Sequence, residues 1–296
     1  MRRDAFNFVH PAVSMLFFLF VTLITAFVLH PVITGISLAA ACVYYIMIKG
    51  KKGVLFCLSF ALPVMLLVAV LNPLFNHAGT RILFYLWNGN AVTLEAVLYG
   101  VNSACMFAAL IIWCACLTSV MSADKYVCLF GRLIPTLSLL FSMVLRFVPR
   151  LLSRIRRVSA AQLGVAPPIG KSPVKGVKHG LSVVSVTVSW ALESAVNMSD
   201  SMKSRGYGLK GRTSYSLFRF DGRDLVLTAV LVVSFAASCA ACALKAVWFR
   251  YYPSIKFTPP GFFPIAGCAA FALLCFVPVL LNVKEDITWR ILRSRI

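Results

Sequence analysis

The sequence predicts an all-α, polytopic membrane protein with about six transmembrane helices and two long amphipathic helices inserted between spans four and five. Of its 296 residues, 60% are hydrophobic and only 13% are charged, about half the charged share of a soluble domain. The mean hydropathy is +0.87. Apolar runs long enough to cross a bilayer recur along the chain. This composition excludes an ordinary water-soluble enzyme, and 23 Phe residues exclude a disordered chain.

The first 120 residues contain four predicted spans. A span needs about 20 apolar residues, which selects 11–29, 32–48, 54–71 and 98–120. Within the mixed stretch 72–97, the apolar piece Ile82–Trp87 is too short to span, so we expect it to be interfacial or re-entrant. The first span lacks a small-residue cleavage site, and we therefore expect no cleaved signal. Residues 1–120 form the predicted N-terminal membrane part.

Residues 121–223 have a different character, because they hold sixteen of the 29 basic residues while apolar residues still recur at helical spacing. A first long helix is predicted over 135–163. Its arginines follow at spacings of four, four and three and therefore share one face; they are Arg146, Arg150, Arg154 and Arg157. Because arginines oppose insertion into lipid, this helix should lie along or just beneath the membrane surface. Either anionic lipid or a protein partner would suit this row of arginines.

A second amphipathic helix is predicted over 174–204. Its polar stripe consists of Lys178, Ser182, Ser185, Ser189, Glu193, Asn197 and Asp200. Small serines let two helices approach closely, so we expect this helix to cross the first one, with Glu193 pairing with an arginine. The helix should end at Ser204-Arg205-Gly206, since Gly206 suits the left-handed position after a helix. On the residues alone, this segment is either a plain helix cap or a functional motif.

Residues 224–296 form the predicted C-terminal membrane part, with spans over 224–244 and 262–281 followed by a basic tail. The orientation follows from the basic residues. With six spans and the N-terminus inside, 25 of the 29 fall on the inner side, and without the long central block the split is still nine to four. The positive-inside rule therefore predicts that both termini and the central block are cytoplasmic.

No catalytic, cofactor or metal site is predicted. The chain has only nine acidic residues and four His, and no convergent set of them is visible. The glycine pattern Gly206–Gly211 follows a helix instead of a strand, so it is not a dinucleotide site. The stretch Gly164–Ser172 has five residues between its glycines, whereas a phosphate-binding loop has four. The Cys239–Cys242 pair lies within an apolar helix and is expected to be structural.

Four segments together carry a resemblance that covers essentially the whole chain. They are Leu145-Arg-Phe-Val-Pro-Arg150, Trp190-Ala-Leu-Glu193, Asp200-Ser-Met-Lys-Ser-Arg-Gly-Tyr-Gly208 and Gly211-Arg-Thr213. With four spans before them and a return to the membrane after them, they resemble the transmembrane T component of energy-coupling factor transporters. The resemblance implies a non-catalytic coupling subunit of a bacterial ABC-type importer for vitamins or related micronutrients. It also implies partners: two cytoplasmic ATPases, a substrate-binding membrane S component and the lipid bilayer of the cell membrane.

In that family, two coupling helices each end in an Ala/Ser-Arg-Gly motif whose arginine docks in an ATPase. Ser204, Arg205 and Gly206 match the second motif. The first helix departs from the pattern, because its end reads Ala161-Gln162-Leu163-Gly164 without the expected arginine. Residues that could contact the first ATPase instead are Arg146, Arg150, Arg154, Arg156, Arg157, Gln162 and Gly164.

Other classes of protein are open alternatives. A self-contained secondary transporter would be expected to carry ionisable residues within its spans, and the plain spans here contain only Asp224, at the first position of the span 224–244. A membrane-anchored scaffold for anionic lipid or nucleic acid would use the basic block, but the apolar periodicity between its arginines argues against an exposed basic patch. We therefore expect no nucleic-acid partner.

Overall fold

The computed structural model describes residues 5–76, 79–85, 91–133, 135–165, 173–207, 209, 218, 220–244, 247–252, 254–257, 259 and 261–294. The chain divides into two compact units. Unit 1 comprises Met1–Ser122 and Phe218–Ile296, and unit 2 comprises Ala123–Leu217. Unit 1 contains the helices predicted as spans, and unit 2 contains the long helices of the basic block.

Unit 1 is built from helices with two short β-hairpins. After a 3₁₀ turn at Ala5–Phe8, its helices are α1 Pro11–Phe27, α2 Pro31–Lys49, α3 Lys51–Phe56, α4 Leu62–Phe75, α5 Leu94–Val120, α9 Gly222–Ala243 and α10 Phe262–Ser294. Helices α1 and α2 begin in the same way, with a histidine at the N-cap followed by a proline in the first turn. The Nδ1 atoms of His10 and His30 accept hydrogen bonds from the backbone N–H groups two residues later, at 3.2 and 3.3 Å, which satisfies a donor at each helix start.

The third predicted span is one continuous helical segment, in which α3 passes through a π-helical turn at Cys57–Ala61 into α4. The predicted end of this span at 71 is too early, because the helix continues through Asn72 and Pro73 to Phe75. Gly100 of α5 lies against this last part of α4. A Cβ at Gly100 would lie 3.1 Å from the Ala69 carbonyl oxygen and 3.3 Å from the Pro73 ring. The backbone of α5 thus packs directly on the proline-containing turn of α4.

The core of unit 1 is a cluster of buried aromatic rings around Trp113 of α5. Phe17 and Phe18 of α1 lie edge-on to it at 5.6 and 6.2 Å. Within this apolar core, the Trp113 Nε1–H donates to the hydroxyl of Ser37 at 3.0 Å, and that hydroxyl also pairs with the Thr25 hydroxyl at 2.8 Å. These bonds join α1, α2 and α5. Because an unpaired polar group would be costly here, they also fix the register of the three helices.

Two short hairpins precede α5 and α10. Strand β1 (Ile82–Tyr85) pairs with β2 (Ala91–Thr93), and β3 (Phe249–Arg250) pairs with β4 (Lys256–Phe257). The predicted interfacial piece Ile82–Trp87 therefore begins as a β-strand, and its last two residues lie outside the described residues. Glu95 in the first turn of α5 holds this region together. Its buried carboxylate accepts hydrogen bonds from the Thr80 hydroxyl and the Arg81 backbone N–H, at 3.1 and 3.3 Å.

The described residues of unit 2 form three helices, α6 Ala123–Leu133, α7 Pro135–Val165 and α8 Pro173–Ser204. The predicted helices 135–163 and 174–204 match α7 and α8 within two residues at each end. Helix α6 was not predicted as a separate element. Pro149 lies inside α7 without ending it.

Six helical segments among the described residues are long and apolar enough to cross a membrane: Pro31–Lys49, Lys51–Phe75, Leu94–Val120, Gly176–Ser204, Gly222–Ala243 and Phe262–Arg293. The chain is thus a largely helical, multi-pass membrane protein. This set differs from the predicted one at two places. Helix α1, which was predicted as the first span, has 17 residues and is shorter than these six helices. Most of α8, which was not predicted as a span, is included and has the lowest hydropathy of the six. Moreover, α10 continues 13 residues beyond the predicted end of the sixth span at 281.

Candidate functional site

Helices α7 and α8 pack against each other as an antiparallel pair. Phe147 stacks on Trp190 with ring centroids 6.0 Å apart and planes 8° apart. Towards the other end, Ser159 lies 3.3 Å from His179, and the Gln162 amide donates to the Ser182 hydroxyl at 2.9 Å. These contacts extend over 15 residues of α7, roughly 22 Å of helix. The close approach of the two helices that the serine stripe led us to expect is therefore present, and it extends over this length.

The contact between these helices encloses very little apolar surface. Of the residues described in 123–217, Val183 is the one hydrophobic residue that is buried. One turn later, Thr187 is also buried, and its hydroxyl donates to the Val183 carbonyl at 2.6 Å. By contrast, unit 1 buries a contiguous cluster of aromatic and aliphatic side chains. A helix pair with so small a core gains little stability from its own packing.

Each helix of the pair carries an uncovered apolar stripe. On α7 and α8, large aliphatic side chains recur at spacings of three and four residues and are 45–71% exposed; they are Val144, Val148, Leu152, Leu181, Val184, Val188 and Leu192. We call these seven residues the apolar face. The stripe on α8 does not pack on α7. Contiguous exposed apolar surface of this kind marks a site of protein or membrane contact.

The predicted arginine row of α7 divides into exposed and packed members. Three members of the row are exposed, namely Arg146, Arg150 and Arg157, and so is the neighbouring Arg156. The Arg157 Nε–H donates to the Ser153 carbonyl at 3.3 Å. Arg154 instead lies over the Trp190 ring, with its guanidinium carbon 5.3 Å from the ring centroid.

The expected ion pair of Glu193 with an arginine is wrong. The Glu193 side chain is exposed, and no described residue forms a salt bridge with it. The serine and acidic stripe of α8 therefore faces outward.

The end of α8 is a complete Schellman cap. The N–H of Gly206 donates to the Lys203 carbonyl, and the N–H of Tyr207 donates to the Met202 carbonyl, both at 3.0 Å. Gly206 has a φ of +80°, the left-handed conformation that this motif requires at its glycine. A Cβ at Gly206 would also lie 3.0 Å from Leu209 Cδ1. Both the backbone angle and the space thus favour glycine.

Arg205 lies immediately before this glycine and projects from the helix end. Its side chain is exposed, and its guanidinium has no partner among the residues that the structure describes. The carbonyls of Met202 and Lys203 are already used by the cap, so the arginine is not needed to satisfy them. Ser204 is exposed as well, and its hydroxyl bonds back to the Ser201 carbonyl at 2.9 Å. The segment therefore presents the Arg205 guanidinium at a capped helix end.

The end of α7 offers no equivalent arginine. The Gln162 amide is already used by Ser182, and Gly164 is exposed but has no side chain to offer. Residues 166–172, which include most of the stretch resembling a phosphate-binding loop, lie outside the described residues. So do Gly208 and Gly211–Thr213. The structure thus places Arg205 and the arginine row at separate positions along unit 2.

An apolar groove of about 610 Å³ lies between α6 and α7. It is lined by Ala123, Tyr126, Val127, Phe130, Ser138, Leu140, Phe141 and Val144. The Ser138 hydroxyl donates to the Val127 carbonyl at 3.1 Å, so the serine leaves no free hydrogen-bond donor in the groove. Among the described residues, no group of three His, Cys, Asp or Glu side chains could hold a metal ion.

No protein-family model matches the chain, and no curated protein sequence matches it. The functional argument therefore rests on the geometry of unit 2 and on the helices of unit 1.

Sequence reasoning missed two features of the site. The ring contact of Phe147 with Trp190 was not predicted, although Trp190 shares the helical stripe of Val183 and Thr187 at spacings of four and three. This second stripe contains a large aromatic residue and lies apart from the aliphatic stripe of α8, and it was the sequence signal that could have predicted the contact with α7. The groove was missed because α6 was not recognised.

Proposed function

We propose that this chain is the transmembrane coupling subunit of an energy-coupling factor importer for vitamins or related micronutrients. In this proposal it joins two cytoplasmic ATPases to an S component that captures the substrate in the membrane. The observation that carries the proposal is the α7–α8 pair, a long two-helix unit with an uncovered apolar face and a free arginine on a capped end. The chain hydrolyses no ATP itself, and it lies in the bacterial cell membrane with both termini cytoplasmic.

The proposal places α8 at the cytoplasmic side, although its composition would allow it to span. Helix α7 runs alongside α8 at Phe147 through Gln162. If α8 crossed the bilayer, this stretch of α7 would enter the hydrocarbon with it, carrying Arg150, Arg156 and Arg157. Each charged side chain at the bilayer centre costs at least about 2.5–3.5 kcal/mol. A position at the membrane surface avoids that cost and leaves the arginines in water.

The apolar face suits a lipid-embedded protein partner. Val148 and Leu152 of α7 and Leu181 and Val184 of α8 are each about half exposed or more, and the pair has almost no core of its own. Burying these side chains against an S component would contribute roughly 25 cal/mol per Å² of apolar area. The two helices would then gain from the partner the packing energy that they do not gain from each other.

Arg205 suits an acidic groove on an ATPase. A guanidinium keeps its charge and can hold a carboxylate through two parallel hydrogen bonds. Because the Schellman cap fixes the backbone around it, a movement of the ATPase at Arg205 would displace the whole of α8. The antiparallel contact with α7 would carry that displacement along unit 2 as a rigid-body shift. Such a shift at the apolar face would change the orientation of the S component.

Substrate uptake and stimulated ATP hydrolysis test the role of Arg205. We expect Arg205→Ala and Arg205→Glu to abolish stimulated hydrolysis or assembly while the chain still inserts and folds. Lys203→Ala is the matched control, because Lys203 is an exposed cation in the same last turn and should leave both activities intact. Full uptake by either Arg205 variant would remove this assignment.

A further inference from the structure

Trp190 lies between two side chains of α7 that are seven residues apart. Phe147 stacks on it at 6.0 Å with nearly parallel planes, and the Arg154 guanidinium lies 5.3 Å from its centroid. Seven residues of helix rise about 10.5 Å, which is close to these two separations combined. The ring therefore fits between Phe147 and Arg154, and this three-residue contact links α7 to α8.

This contact has a built-in cost. The Nε atom of Arg154 is buried and has no hydrogen-bond acceptor among the described residues. A methionine or leucine at this position could cover the ring without removing a charged donor from water. A cation over an indole face is favourable, but a buried charged donor without an acceptor is unfavourable by a larger amount. The Arg154 side chain therefore has a net cost in the closed contact, which release would remove.

We infer that Arg154 and Trp190 form a releasable latch between α7 and α8. In the closed state the guanidinium lies on the indole, and in the released state Nε regains hydrogen bonds with water while the two helices separate locally. The interface has few other restraints, since Val183 is its one described buried hydrophobic residue and Gln162 Oε1 is likewise buried without a partner. A small bias from any partner of unit 2 would then shift the population between the two states. The latch concerns unit 2 alone and holds whether or not ATPases bind.

Hydrogen–deuterium exchange of the full chain in lipid nanodiscs tests the latch, read on peptides covering 147–162 and 179–190. Arg154→Met keeps an apolar stem on the ring and removes the buried donor, so exchange should slow about fivefold, the factor given by about 1 kcal/mol. Arg154→Lys also lacks Nε and should also slow exchange. This second variant provides the test if the methionine variant fails to fold. Trp190→Leu should accelerate exchange about fivefold.

Arg150→Met is the matched control, because Arg150 is exposed one turn earlier on the same helix and contacts no aromatic ring among the described residues. Its exchange should equal that of the wild type. If Arg154→Met and Arg154→Lys exchange as fast as the wild type or faster, Arg154 is a net stabiliser of a permanent contact and the latch is refuted. If Arg150→Met slows exchange equally, the effect belongs to the general loss of charge and the latch is again refuted.

Discussion

Gly206→Ala is the sharpest test of the helix end that presents Arg205. Gly206 has a φ of +80°, and a Cβ there would approach Leu209 Cδ1 at 3.0 Å. A left-handed conformation costs a residue with a Cβ about 1–2 kcal/mol. The leucine can move aside, so the backbone angle should account for most of the effect. We therefore expect opening of the last turn of α8 to increase about 5- to 30-fold.

Hydrogen exchange on peptides covering 198–207 measures this opening directly. Gly180→Ala is the matched control, because Gly180 lies within the same helix and a Cβ there would meet no atom within 4 Å. Removing a glycine from a helix interior should stabilise α8 by about 0.5–1 kcal/mol, the opposite sign. Gly206→Asn should be milder than the alanine variant, since asparagine tolerates the left-handed region. Equal exchange in Gly206→Ala and wild type would show that the Schellman cap is not required.

Three further predictions concern unit 1, each measured by thermal unfolding in detergent. Ser37→Ala leaves the Trp113 N–H without its acceptor and should lower the stability by about 1–3 kcal/mol. Gly35→Ala is the control, because Gly35 is exposed and a Cβ there would meet no atom within 4 Å, so it should not destabilise. Equal melting temperatures for the two variants would contradict a structural role of the Trp113–Ser37 hydrogen bond. Gly100→Val should lower stability by about 1–3 kcal/mol through overpacking against Ala69 and Pro73, and an unchanged melting temperature would refute the close α4–α5 approach. Burial lowers the pKa of His30 below its ordinary 6.5, so as the pH falls His30 is protonated in the unfolded chain before it is protonated in the folded chain. The free energy of unfolding should therefore be at its full value above pH 6.5 and decrease below it. His30→Asn keeps a capping side chain and should lose that pH dependence.

Long-period features of the fold were predictable from the sequence. The ends of α7 and α8 were predicted within two residues because their apolar residues repeat over eight or more turns, and because Pro135 and Pro173 mark the helix starts and Gly206 marks the end of α8. Short elements could not be predicted in this way. Strands β1 and β2 have four and three residues and form because each has a partner, which no local pattern records. Helix α10 continues past 281 because charged residues after a span are compatible with a helix outside the lipid.

Individual side-chain roles in unit 2 were less predictable than its helices. Arg154 has the same spacing as Arg150 and Arg157, and only Trp190 on the neighbouring helix sets it apart. The expected pairing of Glu193 failed because the register of α7 and α8 turns the polar stripe outward. A helical stripe can be read from one segment, whereas the contact that uses it depends on the partner segment.

The composition of the complex isolated from its native membrane tests the central claim most directly. Native mass spectrometry of the tagged chain in mild detergent should find it bound to two nucleotide-binding subunits and one further membrane protein. Arg205→Glu, at equal expression and with an unchanged melting temperature, should lose nucleotide-binding subunits. A wild-type chain that carries no nucleotide-binding subunit, with unit 2 still folded, would contradict the account.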